Sequence, residues 1–443
     1  MKVLLVGVGG VGEAIANLAE ERPWIETMVL ADYNYERAKW VSQDLGGEAR
    51  FPPEFLDASD KIMIAKMARE YDVDVILNAC DAKFNIAIFD AAFEAGKTYI
   101  DLAMCPSKPH PEEPYRKVGA ILGAYQLEQS QRWADKGLLA ICAMGVDPGL
   151  SQVFARFAYD NLFDEIHEIN IRDGSNIGIE GYEFAPSFSI WTVLEECLNP
   201  PLVFDESRGG HYTTELFSDP EIFDFPDGIG RLTCVNIEHE EVVLLPRSIP
   251  CKRVTFKYGL DDDFIATLKT IHSLGLASKE PVRVGRLEVA PRDVVAACLP
   301  DPSQLGERMY GKACVGTWIR GIDEGKDREV YLYQVIDNAI TMDRYQIQVV
   351  VLQTAMNPIV ALEMLREGYW QGKGVLGPSD FPAEPYLQAL RRYGFGHKIR
   401  ELVPAAQPEP EELEVKAAPK KRKTTKQELL EAVRASGTSP ASR

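Results

Sequence analysis

The chain opens on an unbroken apolar run, KVLLVGV at 2–8, and similar runs recur through its first third. They are TMVLADYN (27–34), a stretch ending at Phe55-Leu56-Asp57-Ala58, DVDVILNAC (72–80), TYIDLAM (98–104) and LLAICAMGV (138–146). Continuous apolarity over so few residues predicts strands buried on both faces. Between them lie segments with helical spacing: residues 10–21, YERAKWVSQDLGG at 35–47 closed by glycines, NIAIFDAAFEAG at 85–96, and QLEQSQRWADKG at 126–137. Strand and helix in strict alternation predict a Rossmann-type, doubly wound parallel sheet.

From about residue 163 the pattern changes. HEINIRDGS, RLTCVNIEHEEVVLL, KRVTFKYGL, YGKACVGTWIRGI and EVYLYQVID are β-rich, several with alternating polarity, and Pro/Gly turns separate them. IDEGKDREV at 322–330 reads as a hairpin turn. This texture predicts a second, α+β domain with a mixed, largely antiparallel sheet. A helical pattern returns in YQIQVVVLQTAMNPIVALEMLREG, 345–368, and from 404 Pro, Glu and Lys crowd out apolar residues. The expected organisation is a nucleotide-binding domain at 1–148, a substrate domain at 149–340, a helical segment at 341–403 that returns to the first domain, and a disordered tail at 404–443.

Composition narrows the function classes. The formal charge is −19, and the tail carries eight Lys/Arg against six Glu, which leaves the body near −21. Such a body repels nucleic acid and anionic membrane, and KKRK at 420–423 reads as a solvated tail. No secretory signal or membrane span is expected, which places the protein in the cytoplasm. The eight cysteines form no CxxC pair and no zinc spacing, so buried reduced thiols and no metal are expected.

GVGGVG follows the first strand and opens a helix. In this G-x-G-x-x-G, Gly7 permits the turn, Gly9 lets a diphosphate approach the backbone, and Gly12 lets helix and strand pack closely; Gly10 and Val11 complete the phosphate loop. Asp32 ends the second strand, 20 residues after Gly12, where a carboxylate bonds the ribose hydroxyls and repels a 2′-phosphate. The pairing favours NAD over NADP, with Asn34 and Arg37 keeping NADP open. Asp57 and Ala58 fall where adenine rests, and Asn78 and Ala79 at the rim where nicotinamide begins. Tyr99 and Asp101 share that edge.

The chain resembles the saccharopine dehydrogenase-like family, and within it the lysine 6-dehydrogenase and saccharopine reductase branches. The resemblance is carried by VGVGGVG, ILNACDAKFNIAIFDAAFEAGKTYIDLA, GVDPGLSQVFARFAYD, YEFAPSFSIWTVLEECLNPPLVF, KRVTFKYG and TAMNPIVALEMLREGYWQGKGVLGPSD. It implies hydride transfer between NAD(P) and a carbon–nitrogen bond of an amino acid or its imine, with the amino-acid pocket in the second domain. It also implies that Tyr182 and Phe184 line that pocket. A long acidic stretch at 205–230 and the basic tail depart from both branches and put the substrate in question. A carboxynorspermidine dehydrogenase-like polyamine enzyme is the second reading, and a non-catalytic NAD-binding sensor or scaffold the third.

Such chemistry needs a base for the amine proton and donors for a substrate carboxylate. Asp147, in GVDPG after the last Rossmann strand, is a candidate base, with a helix N-cap as its alternative role. His239, beside Glu240, is the second titrating candidate. Arg172 is the candidate clamp for an α-carboxylate, and Ser187 a further donor. The expected partner is an amino-acid-like small molecule, and the expected assembly a homodimer.

Overall fold

The structure is a computed structural model that describes residues 1–402; the tail expected at 404–443 lies outside them. The first sheet contains β1 (Lys2–Val6), β2 (Thr27–Asp32), β3 (Pro53–Phe55), β4 (Val75–Asn78), β5 (Thr98–Asp101) and β6 (Leu139–Ile141). A seventh strand, Gly374–Leu376, comes from far along the chain and pairs with β6. The spatial order is Gly374–Leu376, β6, β5, β4, β1, β2, β3, and every pairing is parallel. The order reverses between β1 and β4, so the ligand crevice of such a sheet opens there. Helix α1 (Gly10–Glu20) leaves β1 at that crevice.

The second sheet is mixed. Its main path runs Gly210–Thr213, Leu202–Asp205, Arg253–Gly259, Glu165–Ser175, Lys312–Asp323, Lys326–Asp337, Lys398–Glu401. We call Glu165–Ser175 β7, Arg253–Gly259 β8 and Lys312–Asp323 β9. β7 and β8 are parallel, and the other pairs on this path are antiparallel. The long hairpin made by β9 and Lys326–Asp337 turns at Glu324-Gly325, both at positive φ, as the sequence pattern anticipates. One expectation fails locally. The β-rich run 231–245 is strand only to Asn236, and Glu241–Ser248 is a helix. Its buried residues, Val242 to Leu245, give the apolar run that reads as strand.

Four helices complete the frame of the site: α2 (Leu150–Asn161), α3 (Ile190–Leu198), α4 (Asp262–Ser273) and α5 (Val349–Glu367). Among the described residues α5 alone is long and apolar enough to cross a membrane, yet it is largely buried in the core. It packs on α1, and Gly368 at positive φ closes it. All eight cysteines are unpaired; five are buried and Cys298 is exposed.

Candidate functional site

The glycine-rich loop has the shape a diphosphate requires. Gly7 sits at φ +94°, and a side chain there would meet Cys80 Sγ at 2.8 Å. A methyl at Gly12 would overlap the carbonyl oxygen of Gly7, so this glycine lets α1 press on the turn. At Gly9 a methyl would meet nothing within 4 Å, which leaves open space beside the helix N-terminus. Asp32 braces the loop, because Oδ2 accepts from the Val8 amide at 2.7 Å and Oδ1 from Asn34 at 2.8 Å. Arg37 pairs with Glu13 and donates from Nε to the Val8 carbonyl at 3.2 Å. The residues present therefore fit an NAD(P) diphosphate at α1, with a carboxylate at the ribose position.

Beyond β2 and β3, Tyr33 and Phe55 are exposed with ring centroids 5.7 Å apart. Asp57 accepts from both the amide and the hydroxyl of Ser59, which fixes the turn that carries Ala58. Asn78 is corrected from its expected role. Its side chain is 1% exposed and donates to Asn85 and Tyr99, while its oxygen accepts from the Cys80 amide. It fixes the end of β4, and only the following Ala79-Cys80 reaches the rim. Tyr99 and Asp101 are buried frame residues too.

Residues from Val146 to Thr354 line a cavity of about 440 Å³. Asp147, Tyr182, Phe184 and Ser187 line it as the sequence suggests, and Phe184 stacks on Phe264 of α4. Residues that sequence reasoning missed also line it: Asp173, Glu183, Glu196, Tyr258, Asp261 and Asp263. The lining thus contains six carboxylates and no Lys, Arg or His.

Asp147 is not a helix cap. The N-cap of α2 is Gly149, whose φ of +136° brings its backbone against Gly145. Asp147 is instead half-buried facing Asp173, and its buried Oδ2 accepts no hydrogen bond from an amide, hydroxyl or cationic group. Burial, and then the Asp173 carboxyl, push Asp147 well above the usual carboxylate range. Burial raises Asp173 as well, so the two share a proton.

Arg172 is the clearest correction. Successive strand residues point to opposite faces. Asp173 shares the face of Ile169 and Ile171 and reaches the cavity, whereas Arg172 points the other way. There it is 2% exposed, with Nε on Glu221 at 2.5 Å and Nη1 on Thr255 at 3.1 Å. Lys257 lies opposite Arg172 in the β7–β8 register and completes the cluster, binding Glu221 at 3.0 Å and Asp219 at 2.9 Å. Tyr258 lies opposite Asp173 in the same register. Strand parity in IRDG and FKYG carried that signal.

His239 stands behind the cavity wall rather than in it. It is fully buried, stacked on Phe256 with centroids 3.7 Å apart. Nδ1 lies 2.7 Å from Glu241, more closely paired than with Glu240, and Nε2 lies 3.1 Å from the Tyr258 hydroxyl. Burial alone would lower the imidazole, but Glu241, Glu196 and Glu240 carry it up to about 10. The resulting imidazolium donates to Tyr258, which donates to Glu196 at 3.3 Å. His239 is therefore a positioning residue that reaches the cavity through Tyr258.

Burial also lifts Glu196 to about 8, Glu238 to about 7 and Asp101 to about 7. The folded chain keeps protons on these groups that the unfolded chain releases near 3.8–4.5, and His239 does the same from 6.5 upward. Stability from these groups is complete below about pH 4 and is lost as pH rises through about 7–8, then about 10 for His239. Urea midpoints should therefore fall from pH 6 to pH 9, with a shallower fall in Asp101→Asn and Glu238→Gln. A midpoint that climbs over this interval would contradict the assignment.

Comparison with known proteins follows the same layout. The family description "Saccharopine dehydrogenase NADP binding domain" matches residues 3–141, and "Saccharopine dehydrogenase C-terminal domain" matches residues 145–395. A carboxynorspermidine synthase of Vibrio cholerae is 28% identical over 417 residues, covering 91% of this chain and 98% of the relative. A carboxyaminopropylagmatine dehydrogenase of Synechocystis is 25% identical, covering 89% and 96%. Among solved structures, apo saccharopine dehydrogenase (L-Glu forming) of Saccharomyces cerevisiae shares the fold at TM-score 0.66 and 14% identity, covering 91% of this chain and all of the other. Homospermidine synthase of Legionella pneumophila in complex with NAD does so at 0.66 and 14%, covering 94% and 95%.

Proposed function

Since the chain belongs to the saccharopine dehydrogenase family of NAD(P)-linked oxidoreductases, we propose that its carbon–nitrogen substrate is a carboxylated polyamine rather than lysine or saccharopine. The observation that carries this reading is the cavity lining, six carboxylates without a cationic side chain. Ammonium groups need carboxylate partners, and a ligand with several of them fits a surplus of acids better than an amino acid with one or two. The names of the full-length relatives describe carboxyl-bearing polyamine products, which agrees with that lining.

In the direction of synthesis, a primary amine condenses with a carbonyl carbon, water leaves, and the imine is reduced. The cofactor supplies the hydride. The amine must shed a proton before it attacks, and the imine nitrogen must gain one before reduction. Asp147 and Asp173, sharing one proton, and Glu196, raised to about 8, can exchange protons at neutral pH. The single negative charge left on the Asp147–Asp173 pair also stabilises an iminium. Tyr258, held by His239, orients Glu196. The carboxyl end has neutral donors in Ser187, Gln353 and Thr354.

The cofactor reading within this proposal is NAD. Asp32 stands at the ribose position and Arg37 is engaged by Glu13 and the Val8 carbonyl, so neither welcomes a 2′-phosphate. The test is oxidation of a panel (carboxynorspermidine, carboxyaminopropylagmatine, saccharopine and lysine) with NAD⁺ and with NADP⁺, followed at the reduced-cofactor absorbance. Turnover should be confined to the polyamines and faster with NAD⁺. Turnover of lysine or saccharopine alone would overturn the substrate, and preference for NADP⁺ would overturn the cofactor.

A further inference from the structure

A short turn from the second half of the chain lies directly on the glycine-rich loop. A methyl built on Gly10 would come 2.7 Å from Ser303 Cβ. Ser303 belongs to the 3₁₀ turn Pro302–Gln304, which Asp301 caps by accepting from the Ser303 amide at 3.0 Å and hydroxyl at 2.8 Å. Gln304 Nε2 lies 3.3 Å from the same hydroxyl. Asp301 is near enough to Glu13, on α1, to affect its titration. The open space at Gly9 and the Ser303 contact at Gly10 are thus neighbours at one helix N-terminus.

The next turn, Gly306–Arg308, is tied to the cavity. Gly306 packs beside Gln348, with 3.3 Å between a built methyl and Gln348 Cβ, and its carbonyl accepts from Asn338 Nδ2 at 2.9 Å. Asn338 Oδ1 accepts from the first amide of α5, that of Val349, at 3.0 Å. Gln348 caps α5 and donates to the carbonyl of cavity-lining Ser187 at 2.7 Å. Val350, Gln353 and Thr354 of α5 then line the cavity itself.

We propose that Asp301–Gln304 is the roof of the cofactor's diphosphate site, with Ser303 as a cofactor-binding residue supplied by the second half of the chain. Asp301 keeps the Ser303 amide, and the hydroxyl donor turns to a phosphate oxygen when the cofactor binds. Because the roof runs directly into the Gly306–Arg308 turn, which Asn338 joins to the start of α5, cofactor contact also braces the cavity wall at Ser187 and Gln353. The proposal rests on NAD(P) binding by the family and not on the identity of the amine.

Gly10 provides a specific test. It is the first residue of α1 and has no positive φ, so alanine suits its backbone and Ser303 is the obstacle its methyl meets. Binding of NADH and NADPH to the full chain would be followed by cofactor fluorescence. Ser303→Gly should weaken binding about three- to tenfold, in line with one lost hydrogen bond. Gly10→Ala should weaken it about tenfold or more, by displacing the roof. In Gly10→Ala/Ser303→Gly the alanine should cost nothing further, because the space it needs has been cleared. Ser303→Asp, whose carboxylate would face the diphosphate, should lose more than tenfold at an unchanged melting temperature. If Gly10→Ala harms binding equally in both backgrounds, or Ser303→Gly and Ser303→Asp bind as tightly as the parent, the roof is not part of the site.

Discussion

Asp147→Asn should lower kcat by about 10²–10⁴ while cofactor affinity and fold remain intact. Asn is nearly isosteric with Asp but cannot exchange the proton that Asp147 shares with Asp173. It also removes one of two facing acids, so the melting temperature should hold or rise rather than fall. Both effects follow from a carboxyl whose buried Oδ2 accepts no hydrogen bond from an amide, hydroxyl or cationic group. A helix cap would behave differently, since Asn caps as well as Asp and activity would persist; the cap of α2 is Gly149. The checks are steady-state kinetics with whichever substrate of the panel turns over, NADH titration and thermal melting. Full activity in Asp147→Asn would assign the proton step to another group in the lining, with Glu196 the next to substitute.

The second large effect is on stability. Arg172→Ala should destabilise the chain by about 1.5–3 kcal/mol, the scale of a lost charge-assisted hydrogen bond, because Glu221 keeps Lys257 as a partner. Glu221 would keep Lys257 at 3.0 Å but lose its 2.5 Å contact to Arg172, and Thr255 would lose a donor. The Michaelis constant of protein that remains folded should barely change, because the guanidinium lies on the face of β7 away from the cavity. A substrate clamp gives the opposite signature, a large rise in the Michaelis constant at constant stability. Urea unfolding and kinetics on the same sample separate the two.

These two residues show what the sequence could and could not disclose. The parallel sheet was legible because buried strands leave unbroken apolar runs and glycine turns mark their ends. The phosphate loop was legible because three steric demands fall on three glycines a few residues apart. The seventh strand was not, since Gly374–Leu376 is three residues long and its partner β6 is over 230 residues away. At the cavity, the charge of Arg172 suits the carboxylate of an amino-acid substrate, but its strand parity turns it away. Parity alone puts Asp173 in line with Ile169 and Ile171. Tyr258 and Glu196 lie in segments that carry the resemblance but stand out by no spacing of their own, and only the β7–β8 register and the approach of α3 bring them to Asp147. The titrating pair at His239 is visible in the sequence, but that Tyr258 stands between it and the cavity is not.

The late seventh strand has a consequence for biosynthesis. During translation, β1 to β6 emerge first, yet the free edge of β6 stays uncovered until residues 374–376 leave the ribosome. For most of synthesis the nascent chain carries an unpaired parallel edge, the kind of surface that recruits other strands. Closing a loop of that length is also slow relative to local pairing. Messages truncated before residue 374 should therefore yield aggregates rather than a free-standing nucleotide-binding domain, and chaperone dependence should end only when α5 and the strand after it have been made.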